Sequence, residues 1–181
     1  MSSTVPCARH ASPGFSLVEV LTALSLFGVI SAVAASNFVA YMPGYRVRGA
    51  ALQIAGDMNQ ARFSAIKEGK QYYYVPQAGT SYKISYADGL GGQTDLKTVD
   101  VAANYPGVRF GVTGIGSDPY GTAGPAAVPA GTITFNSDGT VSNAAGVYIE
   151  PTTSGGHVQH GVTVTAGGRI RVWHYDGSAW K

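Results

Sequence analysis

Residues 12–35 read SPGFSLVEVLTALSLFGVISAVAA, and this stretch decides what kind of chain follows. From Phe15 to Ala35 it runs for 21 residues with a single charge, Glu19. As a helix it would reach about 31 Å, close to the thickness of a bilayer core. No charged residue occurs from Val20 to Tyr45. An ordinary secretory signal places its small residues and cleavage site after the apolar run. Here the small residue, Gly14, comes first, so cleavage at Gly14 would leave the apolar helix on the mature protein. A carboxylate in hydrocarbon is costly, and Glu19 must find a cation or a proton there.

The chain of 181 residues suits one domain plus a terminal helix. Its 25 glycines, 11 tyrosines and low charged fraction of 12% suggest a β-rich, turn-rich domain rather than a helical bundle. The net charge of +2 gives no global basic field, so any nucleic-acid site would have to be local. Cys7 is the sole cysteine and lies ahead of Gly14. Removal of that leader would leave no thiol for a disulfide, a zinc knuckle or a nucleophile.

After Tyr45 the pattern becomes amphipathic. Val47, Ala51, Ile54, Met58, Ala61 and Ala65 recur at spacings of three and four, with Arg46, Arg48, Asp57, Gln60 and Lys67 largely off that stripe. Gly69 offers a C-cap. The stripe is alanine-rich and only modestly apolar, which favours packing on a sheet over lying on a membrane. Between the two helical halves, Met42-Pro43-Gly44 predicts a kink or break.

Beyond Lys70 the period shifts toward two. Residues 71–75, 82–87, 108–112, 132–135 and 147–150 read as strands. Ser137-Asp138-Gly139 is a turn, and residues 114–131, rich in Gly, Pro and Ala, read as a long loop. Residues 163–165 and 169–175 pair as a final hairpin. No internal repeat or second domain is visible.

Motifs for nucleophilic catalysis, phosphate cradling or calcium binding are missing, and Asp88, Asp95 and Asp100 are scattered, so an enzyme is not expected. His157 and His160 lie three apart, but in a Gly-rich stretch, where solvated loop histidines are the default over a metal pair. In the last strand, alternation puts Ile170, Val172 and His174 on one face, suited to the core. Arg169, Arg171, Trp173 and Tyr175 then share the other: two guanidiniums followed by two aromatics, a set able to hold phosphate and stack on bases if it faces solvent. The plainer alternative packs Trp173 under a loop and leaves the arginines flanking an ordinary strand.

Gly14-Phe15-Ser16-Leu17-Val18-Glu19 resembles the processing site of type IV prepilins and type II secretion pseudopilins. The stretches NQARFSAIKEGK, GTITFNSDGTV and GGRIRV, in this order, are similar to the GspH/FimT group of minor pilins and pseudopilins. The resemblance implies an α+β, pilin-like fold: a long N-terminal helix packed on an antiparallel β-sheet domain. It implies a leader over residues 1–14, a transmembrane and filament-core helix over 15–42, an amphipathic half over 43–70 and a β-rich head over 71–181. A prepilin peptidase would cut between Gly14 and Phe15 and methylate the new amine. Glu19 would pair with the Phe15 amine of a neighbouring subunit and set axial register. Gly28 matches a glycine common in the middle of such helices. The chain departs from the pattern in three places: the leader carries only Arg9 and His10 as basic residues, Pro13 stands before Gly14, and Ser36 occupies a place where a proline is common.

The function so implied is that of a structural subunit of a type II secretion pseudopilus or type IV pilus. Its partners would be other pilins or pseudopilins, the peptidase and the bacterial inner membrane, with the head periplasmic before assembly; no cofactor is implied. A second reading makes the subunit a FimT-like DNA receptor in DNA uptake, because Gly168, Arg169 and Arg171 match that group's Gly-Arg-x-Arg. A third is a plain signal-anchored domain with no filament role.

Overall fold

A computed structural model describes residues 14–122, 124–129, 131–153 and 158–181, with backbone alone over 35–40. The chain divides between Ala40 and Tyr41 into two compact units. Helix α1, Leu17–Glu68, contributes to both and is 52 residues long. Its first window, Leu17–Ala34, has a mean hydropathy of 2.1 and none of its side chains is buried. The helix starts where the Ser16 carbonyl accepts the Val20 N–H at 3.2 Å. Ser16 and Glu19 therefore stand at capping-box spacing, with the carboxylate in the first turn, where the helix dipole favours it.

Of the kink or break expected at Met42-Pro43-Gly44, a break does not occur: α1 runs through Pro43. Proline removes one backbone hydrogen bond, while Val47, Ala50, Ala51 and Ile54, all buried, fasten the helix immediately afterwards. The helix ends as expected. Gly69 takes φ +66, and the Lys70 N–H closes on the Ala65 carbonyl at 3.3 Å.

In the second unit the sequence alternation becomes the expected antiparallel β domain, divided into two sheets. The first contains β1 (Tyr72–Pro76), β2 (Ser81–Ala87), β3 (Gln93–Asp100), β5 (Ile133–Phe135) and β6 (Val141–Ser142), in the order β3-β2-β1-β5-β6. The second contains β4 (Val108–Phe110), β7 (Gly146–Pro151), β8 (Gln159–Val164) and β9 (Ile170–Tyr175), in the order β4-β7-β8-β9. A short helix, α2 (Val101–Asn104), links β3 to β4, with Asp100 as its N-cap accepting from Ala102 and Ala103. Strand alternation could place residues on faces but could not say which sheet each strand joins. What unites the sheets is one buried cluster: Val47, Ile54 and Met58 of α1, Tyr74 and Phe135 of the first sheet, and Val147 and Val162 of the second.

β3 was not expected from the sequence, and two other strands differ from expectation. The strand expected over 108–112 spans only Val108–Phe110; the Gly111 N–H still donates to the Tyr148 carbonyl at 3.1 Å, and the Glu150 side chain fills the space a Cβ at Gly111 would need. The final hairpin is longer than expected. β8 begins at Gln159 and pairs with β9 from Gln159↔Tyr175 to Val164↔Ile170. The Asp176-Gly177-Ser178 turn then folds the last residues back on β9, where His174 and Lys181 exchange two backbone hydrogen bonds of 2.8 Å. This turn carries a plain Asp-Gly signal that the sequence reading passed over.

Most of residues 111–127 lie against the second sheet. Glu150, buried, accepts from Arg109 Nε at 2.8 Å, from the Thr113 N–H at 2.8 Å and from Thr113 Oγ1 at 2.9 Å. Gln159 Nε2 donates to the Thr113 carbonyl at 2.7 Å, and the Tyr148 N–H donates to the Ala127 carbonyl at 2.8 Å. Every residue of β8 is buried as a result, one side toward the core and the other under this segment.

Candidate functional site

The residues expected to act fall at opposite ends of the chain. Gly14 and Phe15 precede α1, and Phe15 is 83% exposed. Glu19 is exposed in the first turn, where its backbone carbonyl accepts the Thr22 hydroxyl at 2.9 Å. Gly28 would meet nothing within 4 Å if it carried a Cβ, so the spot is open to a neighbouring helix. The leader residues, Arg9 and His10 among them, lie outside the described residues.

At the other end, β9 keeps the expected alternation, and its outer face is only partly open. Arg169 is exposed, whereas Arg171 is half-buried with its guanidinium 5.4 Å from the centre of the Trp173 ring. Trp173 donates its indole N–H to Thr163 Oγ1 at 2.8 Å and meets Tyr120 edge-on at 5.9 Å. Tyr175 packs against Trp180 at 5.2 Å. The stripe is therefore not an open platform: its two aromatics are engaged within the chain, Trp173 under the segment that carries Tyr120. The plainer of the two readings of this strand is the one the geometry shows. Arg171 also contributes its stem and plane to that packing, leaving Arg169 as the freer cation.

Ile170 and Val172 pack against the core as expected, but His174 does not join them; it is exposed and lies across the strand pair from His160, ring centres 4.9 Å apart. The core ends at Val172 because α1 presents Arg48 and Tyr45 there rather than its alanine stripe. His160 is buried, and burial, then His174 and then Arg48, pushes its imidazole down to about 4. Among the described residues no group of three or more His, Cys, Asp or Glu side chains could hold a metal ion. His157, the other half of the metal pair weighed from the sequence, lies outside the described residues.

Gly168, the glycine of Gly-Arg-x-Arg, has a structural explanation. It takes φ +76, and a Cβ there would run into the Gly139 carbonyl and the Arg62 guanidinium. Arg62 Nε in turn donates to the Gly139 carbonyl at 2.9 Å. Helix α1, the 136–140 turn and the last hairpin meet at this point, which ties together the three stretches of sequence that carried the resemblance.

A second polar cluster escaped the sequence reading. Asp57, buried on α1, accepts the Tyr82 hydroxyl at 2.6 Å and the Lys97 ammonium at 2.8 and 2.9 Å. Tyr82 stacks on Tyr74 at 4.9 Å, and burial, then the Asp57 hydrogen bond, raises the Tyr82 phenol well above its ordinary range. The signal for it was faint: one aspartate beside, not within, the apolar stripe of the helix.

The long apolar helix, its amphipathic continuation and the antiparallel sheets packed on that continuation define a pilin-like protein. A family model described as Type II transport protein GspH matches residues 50–168, and one described as Prokaryotic N-terminal methylation motif matches residues 9–35. The chain belongs to the GspH family, a family of minor pseudopilins and pilins whose members are structural and assemble with other pilins. Among solved structures it is similar to the minor pseudopilin EpsH from the Type 2 Secretion System of Vibrio cholerae, at 15% identity and TM-score 0.52, covering 74% of this chain and 99% of that one. It is also similar to the type IV minor pilin FimU of Pseudomonas aeruginosa, at 13% identity and TM-score 0.49, covering 75% of this chain and 92% of that one. No curated protein sequence matches.

Proposed function

We propose that this chain is made as a prepilin, cut between Gly14 and Phe15 by a prepilin peptidase, methylated on the Phe15 amine and held in the inner membrane with its head periplasmic. From there it enters a filament through its N-terminal helix. The observation that carries this reading is the methylation-motif match over residues 9–35, which lies directly on a helix start whose following 18 residues are apolar and unburied. In this reading Glu19 supplies the counter-charge to a neighbour's Phe15 amine. Apolar burial between helices supplies most of the free energy, and the ion pair fixes their stagger, because a misaligned carboxylate would be left unpaired in hydrocarbon.

Mass spectrometry of the mature protein is expected to find an N-methylated Phe15; any other N-terminus removes the processing claim. Glu19→Ala is expected to insert into the membrane at wild-type levels and to enter sheared filaments at least tenfold less. Normal incorporation of that variant would leave the plain signal-anchored domain as the better account. DNA capture through β9 is not part of this reading, since Trp173 and Tyr175 are already packed and the contact would rest on Arg169 and Arg171 alone.

A further inference from the structure

A groove of about 570 Å³ opens between the Tyr41–Leu52 face of α1 and the free end of the second sheet. Leu52, Val158 and Val172 are its apolar side chains, and Tyr41 and Tyr45 of α1 are aromatic ones. Its charged members are all basic: Arg48, which is exposed and makes no ion pair among the described residues, and Lys181, which is paired with Asp176 at 2.5 Å. No aspartate or glutamate is among the residues lining it. His160 and His174 complete one wall. Among the described residues the buried Nδ1 of His160 has no hydrogen-bond partner.

A phosphodiester would want several open cations and no greasy floor; this groove offers one free guanidinium over an apolar bed. A metal ion would need a cluster of His, Cys, Asp or Glu ligands, and among the described residues none of three or more stands here. What fits is a carboxylate carried on an apolar body. An Arg fork can take the carboxylate, and apolar neighbours of that carboxylate can cover Leu52 and Val172.

We propose that this groove docks a segment of another pilin-like subunit in which a glutamate or aspartate stands beside large apolar residues, the carboxylate seating on Arg48. The choice of a subunit as occupant rests on the assembly reading above. The charge match and the highly exposed Tyr41 and Tyr45 on α1 itself, 69% and 70%, point to a protein surface rather than a solute. The groove would then read the chemistry of a neighbour's side chains, separately from the stagger set near Phe15.

The test uses the full-length protein in detergent micelles, titrated with the acetylated, amidated peptide Leu-Glu-Leu-Ala and its glutamine counterpart Leu-Gln-Leu-Ala. The Trp173 and His174 ring resonances are followed by NMR. The expected result is saturable binding of the glutamate peptide, at least tenfold weaker for the glutamine peptide and for Arg48→Gln. Arg169→Gln, outside the groove, is expected to bind as the wild type does. Arg48 is exposed and unpaired, so its replacement is not expected to unfold the chain, and unchanged spectra elsewhere confirm this. Binding that ignores Arg48, or no saturable change with either peptide, overturns the proposal. So does phenylacetate binding as tightly as the peptide, which would make the ligand a free acid, or duplex DNA binding through Arg48 while the peptide does not. Because the measurement needs no filament, its failure leaves the Glu19 prediction untouched, and failure of the Glu19 prediction does not alter peptide binding.

Discussion

At the scale of single residues, two positions have consequences large enough to measure. Gly168 combines a left-handed backbone with a close approach to the Gly139 carbonyl and Arg62. Gly168→Ala should cost about 2–4 kcal/mol, from strain plus displacement of the Arg62 hydrogen bond. Thermal unfolding should show this as a drop of several degrees, whereas Gly167→Ala, which would meet nothing within 4 Å, should change little. His160 gives a dependence on pH. Its folded-state pKa, about 4, lies below the ordinary value of 6.5, so the unfolded chain binds the proton more readily. The contribution is therefore fully present above pH 6.5 and is lost as the pH falls from there toward 4. The loss should reach roughly 2 kcal/mol by pH 5. Denaturant titrations at pH 7 and pH 5 should show that gap in the wild type and a much smaller one in His160→Gln. An equal gap in both would mean that His160 is not the group responsible.

At the scale of elements, the Asp57 cluster joins α1 to the first sheet. Asp57→Ala strands a buried tyrosine hydroxyl and removes the partner of Lys97, and should cost about 2–4 kcal/mol. Lys97→Met leaves the Tyr82 bond in place and exposes only an aliphatic stem, so it should stay within about 1 kcal/mol of wild type. If the two variants melt alike, the ion pair rather than the tyrosine bond dominates. How far such elements can be read from sequence depends on whether their cause is local. The apolar stripe of α1, its Gly69 stop and most of the period-two strands are local patterns, and they stand in the fold near where the spacing placed them, whereas the mostly polar, exposed β3 gave no such pattern. The passage of α1 through Pro43 is not local, since it depends on the burial of the Val47–Ile54 turn against distant strands. Likewise the division into two sheets depends on partners chosen across the chain. Whether the Arg169–Tyr175 face is open could not be decided from the sequence, because Tyr120, which meets Trp173 edge-on, belongs to a glycine- and proline-rich segment with no periodicity to read. The methylation motif needs no folding to be legible, and so the N-terminal half of the function was clearer from the sequence than the groove near His160.

At the scale of the molecule, the two units differ in what they require from their surroundings. The apolar helix buries nothing of its own side chains over Leu17–Ala34, while residues 41–181 share one core across both sheets. A fragment beginning at Tyr41 should therefore stay in solution without detergent and unfold in a single transition followed by circular dichroism. Two separate transitions would show that the sheets are not coupled through α1. The 136–140 turn, the last hairpin and Arg62 meet at one point, so damage there should propagate to both sheets rather than fray one.

The fold-back of the last residues onto β9 has a further effect. β9 is the outermost strand of its sheet, and at its C-terminal end the Tyr175–Trp180 bridge and the two His174–Lys181 hydrogen bonds occupy outward-facing backbone groups. Residues 179–181 thus cap one end of this edge. Removing Ala179–Lys181 would leave that edge as a template on which another strand can grow. Light scattering of the shortened protein should then rise with concentration where the unshortened one stays flat.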